Sequence, residues 1–127
     1  MKQTTGHFRY TKTHEWLNTE DSPMTLGITA HAQNLLGDIV FIELPTLNTE
    51  VKAGQEIGVL ESVKAASDYY APIDGVITKI NEEIMANPAL INQDPYRTGW
   101  ICQITPHPSS TLDLLLNEES YHTLIAE

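Results

Sequence analysis

The chain has 127 residues, enough for one domain that buries roughly two thirds of its unfolded surface. Seventeen Asp and Glu against seven Lys and Arg give a formal charge of −10, so the clustered cations that nucleic acid demands are missing. No segment reaches the roughly 18 consecutive apolar residues of a membrane-spanning helix, and a single cysteine, Cys102, cannot form an internal disulfide.

The acidity suits a soluble protein that docks on others, and equally one that is merely well solvated. The first seven residues hold no apolar run, so no signal peptide is expected there. An initiator Met with no transit peptide points to a bacterial cytoplasm.

Most of the chain reads as short strands between turns. Residues 18–23 form a turn without glycine, with Pro23 to shape it. Residues 24–29 are a strand and residues 31–36 a short helix that Gly37 stops. Residues 39–44 are almost wholly apolar, the pattern of a strand covered on both faces, and Pro45 ends it. Ala53-Gly54 marks a turn. In residues 55–62 Ile57 and Val59 share one face, Gly58 and Leu60 the other. A second extended arm, residues 66–71, follows. Asp74-Gly75 carries the signal of a tight hairpin turn before a strand at 76–80. The hairpin region as a whole spans about residues 55–80. Cys102 falls in a strand, as a small residue of that strand rather than a reactive thiol. Ser110 and Asp113 resemble a capping box for a first short helix carrying Leu112, Leu115 and Leu116. Asn117 caps a second, with Glu118 and Glu119 in its first turn. The C-terminal helices thus cover about 110–126. Tyr121, Leu124 and Ile125 make an apolar stripe that packs on the β core rather than on a partner. The sum is a small, mainly β, flattened barrel or sandwich with short helices.

Lys64 lies where the two arms meet, at the tip of a β-hairpin. It is the one basic residue between Lys52 and Lys79. Ser62, Ala65, Ala66 and Ser67 leave its stem uncovered, and acids stand at both ends, Glu61 and Asp68. Most surface lysines only solubilise. This one sits on a tight turn, with a solvated ammonium on a fixed backbone, which suits recognition by a modifying enzyme and display of a tethered group. A catalytic lysine needs burial or nearby cations to lower its pKa from about 10.4; a turn between acids is the wrong setting.

The segment Val59-Leu60-Glu61-Ser62-Val63-Lys64-Ala65-Ala66-Ser67-Asp68 resembles the lipoyl-attachment hairpin of glycine cleavage system H proteins. Further stretches match in the same order: Tyr10 to Leu17, Gly27-Ile28-Thr29, Ala32-Gln33, Leu36 to Phe41, Asn87-Pro88, Leu90-Ile91-Asn92, Pro95-Tyr96 and Gly99-Trp100. The resemblance covers roughly residues 8–126. It implies a barrel-sandwich hybrid of the lipoyl/biotinyl type, with the whole chain, 1–127, as one lipoyl-bearing domain. It implies lipoate in amide linkage to Lys64, with Glu61, Val63, Ala65 and Asp68 as the context read by a lipoate ligase or an octanoyl/lipoyl transferase. It places Glu15 in a groove where the loaded arm rests. The implied partners are a pyridoxal-phosphate glycine decarboxylase, a tetrahydrofolate-dependent aminomethyltransferase and dihydrolipoamide dehydrogenase, between which a non-catalytic carrier shuttles an aminomethyl group. Biotin carriers place methionines on both sides of the lysine; here Val63 and Ala65 stand there.

Other chemistry is missing from the sequence. There is no phosphate-binding glycine loop, no cysteine pair, no HxxxH or HxH grouping and no G-x-S-x-G elbow. His14-Glu15 has the composition of an acid/base pair, with a structural or surface role for His14 the alternative. A lipoyl donor that supplies 2-oxo acid dehydrogenases would use the same Lys64. A third reading is a binding module of this type that is never lipoylated, against which the intact Glu61-to-Asp68 motif argues.

Overall fold

The structure, a computed structural model, describes residues 7–126. The reading of the N-terminus as free of a leader falls largely on residues 1–6, outside the described residues. Among the described residues nine strands form two antiparallel sheets. The larger contains β1 (Phe8–Tyr10), β2 (Glu15–Asn18), β3 (Met24–Ile28), β9 (Cys102–Pro106), β8 (Gly75–Ile80) and β5 (Glu50–Val51), paired in that order. The smaller contains β4 (Ile39–Glu43), β6 (Glu56–Ser62) and β7 (Ala66–Tyr70).

Strand alternation builds the core. On β6 Gly58 and Leu60 face inward while Ile57 and Val59 are half-buried. On β9 Cys102 and Ile104 are buried around a half-buried Gln103. One apolar cluster joins both sheets through Leu17, Leu26, Ile42, Leu60, Tyr69, Ile77 and Ile104. Each fully buried Leu or Ile contributes about 1.5–3 kcal/mol, so this cluster holds the sandwich together. Cys102 is part of it, and burial pushes its thiol up to about 12, which keeps it unreactive.

A second, mostly aromatic cluster joins β1 and β2 to the C-terminal helix. Phe8, Tyr10, Trp16 and Tyr121 are buried there, and the Tyr10 and Tyr121 rings stack at 4.6 Å. Trp16 lies flat against Gly27, where a Cβ would come within 2.6 Å of the indole. The helix α4 (Glu118–Ile125) starts at Asn117, whose side chain accepts from the Ser120 N–H at 2.8 Å. The stripe of Tyr121, Leu124 and Ile125 therefore packs on the outer aromatic cluster, as one end of the β framework.

Three expectations fail. Residues 110–116 form no helix. Ser110 donates its hydroxyl to the Asp74 carbonyl, the Asp113 N–H turns back to Thr111 Oγ1, and Leu116 pairs with Tyr10 through two backbone hydrogen bonds of 2.7 and 2.8 Å. Tertiary partners outcompete the local capping signal, so only one C-terminal helix forms.

Asp74-Gly75 makes no hairpin either. β7 pairs with β6 and β8 with β9, so this corner carries the chain from one sheet to the other, and the hairpin ends at Tyr70. Gly75 is needed for close approach, since a Cβ would lie 2.4 Å from the Thr105 carbonyl.

Finally, β4 is not covered on both faces. A register irregularity between Ile39 and Phe41 leaves Val40 54% and Phe41 50% exposed, while Ile39 and Ile42 are buried.

Candidate functional site

The turn at residues 63–65 joins β6 to β7, with Glu61 opposite Ala66. Its backbone is tied by one side chain. Ser62 Oγ accepts from the N–H groups of Lys64 and Ala65, both at 3.1 Å, and donates to the Ala65 carbonyl. The Ser62 N–H donates to that same carbonyl at 2.8 Å. A serine at this position forms local side-chain to backbone bonds that substitute for the missing ladder.

The turn is also anchored from below. The Val63 N–H donates to the Asp38 carbonyl at 3.0 Å. Asp38 lies between β4 and α1 (Ala30–Leu36), a helix that Thr29 caps and Gly37, at φ 83°, terminates. A Cβ on Gly37 would stand 3.0 Å from Lys64 Cε, so the lysine stem rests over this glycine. Asn92, on α3 (Ala89–Gln93), fixes the corner. Its Oδ1 accepts from the Ile39 N–H at 2.8 Å, and its Nδ2 donates to the Gly37 carbonyl and to Gln33 Oε1, both at 2.9 Å.

On this fixed backbone the side chains are free. Glu61, Val63, Lys64, Ala65 and Asp68 are all exposed, and among the described residues the Lys64 ammonium has no carboxylate partner. Glu61, Val63, Lys64 and Ala65 share the tip. Asp68 stands further along β7, opposite Val59. Such a lysine presents a primary amine at low steric cost.

Glu15 lies apart from this group. It is 1% exposed, at the start of β2. Its Oε1 accepts from the hydroxyls of Thr11 and Thr13, both at 2.5 Å, and its Oε2 accepts from the Tyr70 N–H at 3.0 Å. Tyr70 ends β7, an edge strand of the small sheet, so Glu15 ties that edge to the large sheet. Burial pushes the carboxyl above its usual range, and the hydrogen bonds from Thr11, Thr13 and Tyr70 pull it back. In front of it lies a cavity of about 370 Å³ with a largely apolar lining, bounded by Thr11, Thr13, Tyr70, Pro72, Leu114 and Leu115. Leu114 is 86% exposed at its rim.

His14 proves structural. Its ring Nδ1 meets the Tyr121 hydroxyl at 2.8 Å, and that hydroxyl also meets Thr29 Oγ1 at 2.7 Å. The His31 ring lies 4.9 Å from it, tilted by 49°. Burial, and then the neighbouring His31, lower the His14 pKa.

A model of the Glycine cleavage H-protein family matches residues 8–127. The chain belongs to that family. A glycine cleavage system H protein of Legionella pneumophila (strain Corby) is 55% identical over 119 residues, covering 94% of this chain and 95% of the relative. One from Escherichia coli O139:H28 is 45% identical over 128 residues, covering 100% and 99%. A solved structure of a glycine cleavage system H protein from Mycobacterium marinum superposes with a TM-score of 0.86 at 34% identity, covering 98% of this chain and all of that one. The family's mainly β sandwich, with short helices including one at the C-terminus, is the fold described above.

The sequence points to Lys64 as a candidate but not to what holds its turn. Ser62 was read only as a small neighbour and Asn92 only as part of a matching stretch. The signal for Ser62 was available: a serine just before a turn can accept from the next two N–H groups. For Asn92 there was none, because its partners lie 53 to 59 positions away.

Proposed function

We propose that this chain is a lipoyl carrier of the glycine cleavage system, non-catalytic by itself, with Lys64 as the attachment site. The observation that carries the reading is the combination at the tip: an exposed, unpaired lysine on a turn whose backbone N–H groups are clamped by Ser62 and anchored to Asp38. Lipoate in amide linkage to Lys64 would supply a dithiolane able to take aminomethyl from glycine decarboxylase, surrender it to the aminomethyltransferase and be reoxidised through dihydrolipoamide dehydrogenase. This chain's residues present the arm and shelter it. Tethering gives the arm's end roughly millimolar or higher effective concentration in a docked partner.

The apolar part of the cavity before Glu15 would take the carbons of an arm, with Lys12 also on its lining. Its walls, Pro72 and Leu115 among them, are apolar, and its polar floor is built from Thr11 and Thr13. Both hydroxyls donate to Glu15 Oε1, and Thr11 Oγ1 also accepts from the Glu15 N–H at 3.0 Å. Glu15 thus acts as a positioning residue behind the threonines, and Asp68 lies on the way from Lys64. Exclusion of water there would slow breakdown of the adduct.

Intact mass of protein from lipoate-replete cells tests the assignment. Wild type should carry one lipoyl increment, and Lys64→Arg none while remaining folded, since Arg keeps the charge but is not an acyl acceptor of this kind. An increment on Lys52 or Lys79 instead would refute the assignment.

A further inference from the structure

The outer face of the small sheet, beside the lysine turn, carries an apolar centre with an acidic frame. Cross-strand pairing sets Phe41 opposite Glu61 and Glu61 opposite Ala66 in one row. The next row sets Glu43 opposite Val59 and Val59 opposite Asp68. Phe41 is half exposed, Val40 beside it is 54% exposed, and Val63 at the tip is 66% exposed. The carboxylates of Glu43, Glu61 and Asp68 are exposed, and among the described residues none of them has an ion pair or hydrogen bond. A half-exposed aromatic ring on an edge strand, flanked on its sheet side by unpaired carboxylates, is left uncovered by the described residues.

We propose that this face docks the enzyme that acylates Lys64, through a partner surface with an apolar recess for Phe41 ringed by Lys and Arg. The proposal rests on the reading of Lys64 as an acyl acceptor. Two features select this occupant. Charge complementarity calls for a cationic partner, because Glu61 stands across from Phe41, Glu43 lies two residues along the same strand, and Asp68 shares the face two strands away. Continuity calls for an enzyme that acts at the turn, because the face runs directly into residues 63–65 along β6 and β7. The step it serves is amide formation: the Lys64 nitrogen, having lost a proton to solvent or enzyme, attacks the carbonyl carbon of lipoyl-adenylate, and AMP leaves. ATP supplies the adenylate. Phe41 contacts none of the reacting atoms and acts in docking alone.

The test is the initial rate of Lys64 acylation by a purified ATP-dependent lipoate ligase, with carrier concentration varied. Phe41→Ser should raise KM for the carrier about tenfold with little change in kcat, as expected of a central aromatic anchor. Phe41→Leu should restore most of it. Glu43→Lys should raise KM several-fold and flatten its dependence on salt, whereas Glu50→Lys, with the same change in net charge on the other sheet, should do neither. Urea midpoints equal to wild type confirm that each variant folds. An unchanged KM for Phe41→Ser and Glu43→Lys, or equal effects of Glu43→Lys and Glu50→Lys, overturns the docking surface and leaves the acceptor reading intact. Failure of wild type to gain mass on Lys64 refutes the acceptor reading and this surface with it. A concentration-dependent dimer of wild type that Phe41→Ser abolishes would assign the face to self-association, and overturn the proposal equally.

Discussion

The turn at residues 63–65 and the node at Glu15 are opposite constructions. At the turn, the backbone is tied by Ser62 and Asp38 while the side chains of Glu61, Val63, Lys64 and Ala65 are exposed. At the node, the side chain is the tied element: Glu15 is buried and both its oxygens are engaged. Presentation of a group to other proteins needs the first arrangement, because a fixed Cα with a loose side chain places the amine reproducibly without obstructing it. Sheltering a group needs the second, because a cavity keeps its shape only if its polar floor is satisfied from within. The two meet through β7, which begins beside Lys64 and ends on Glu15.

Moving the lysine while keeping its chemistry should break the comparison most severely. In Lys64→Ala with Ala65→Lys, the amine leaves the position over Gly37 and takes another direction from the turn. Acylation should slow by about a hundredfold, the scale of a misplaced reacting group. Initial rates of mass gain measure this, and equal rates for the two proteins would show that turn geometry is irrelevant to recognition.

At the node the expected effect falls on stability. Glu15→Ala orphans the Tyr70 N–H and releases Thr11 and Thr13, which costs about 1–3 kcal/mol, offset in part by removal of a buried carboxylate. Urea unfolding should show this, with Lys64 still acylated. The same variant, once loaded, should lose ammonia and formaldehyde faster with no partner enzyme present. Equal decay rates would confine Glu15 to a structural role.

Asn92→Ala sharpens the comparison from the other side. It removes the clamp on Gly37 and Ile39 beneath the turn, at a cost of about 1–2 kcal/mol. Because the corner under Lys64 then loosens, acylation should slow several-fold even in conditions where the protein is fully folded. A stability loss with unchanged acylation would mean that Ser62 alone fixes the turn.

The turn at residues 63–65 was far more legible in the sequence than the node at Glu15. Period-2 alternation placed β6 and β7, and small residues around Lys64 placed the turn, because all of this is local. The exposure of Val40 and Phe41 was not local: an apolar hexapeptide reads as doubly covered, and only the bulge against β6 shows otherwise. Asp74-Gly75 has the composition of a hairpin turn, yet composition is the same for a corner between sheets. Ser110 and Asp113 have capping chemistry, but Ser110 finds Asp74 across 36 positions and the helix is lost. Glu15 was located by resemblance, and its burial was invisible because Thr11, Thr13 and Tyr70 converge on it only in three dimensions.

The smallest expected effect is a pH dependence at the seam between α4 and the large sheet. His14 is held neutral by partial burial and by His31, so its folded pKa lies below the ordinary 6.5. A depressed pKa means that the unfolded chain takes up the proton first. The contribution of neutral His14 is therefore complete above pH 6.5 and is lost as pH falls through the folded value. Glu15 has the opposite sign. Its pKa is raised above 4.5 by burial, so the folded state binds the proton first and gains stability relative to the unfolded chain as pH falls toward that range. The urea midpoint should thus decline as pH drops below 6.5, and the decline should weaken further down where Glu15 protonates. His14→Asn isolates the first limb, since His14 sits at φ 75° and Asn tolerates that region. The variant should lose the Tyr121 contact at every pH yet show a flatter midpoint just below 6.5. An unchanged slope in that window would assign the pH dependence to other groups and leave His14 as a spacer between Tyr121 and His31.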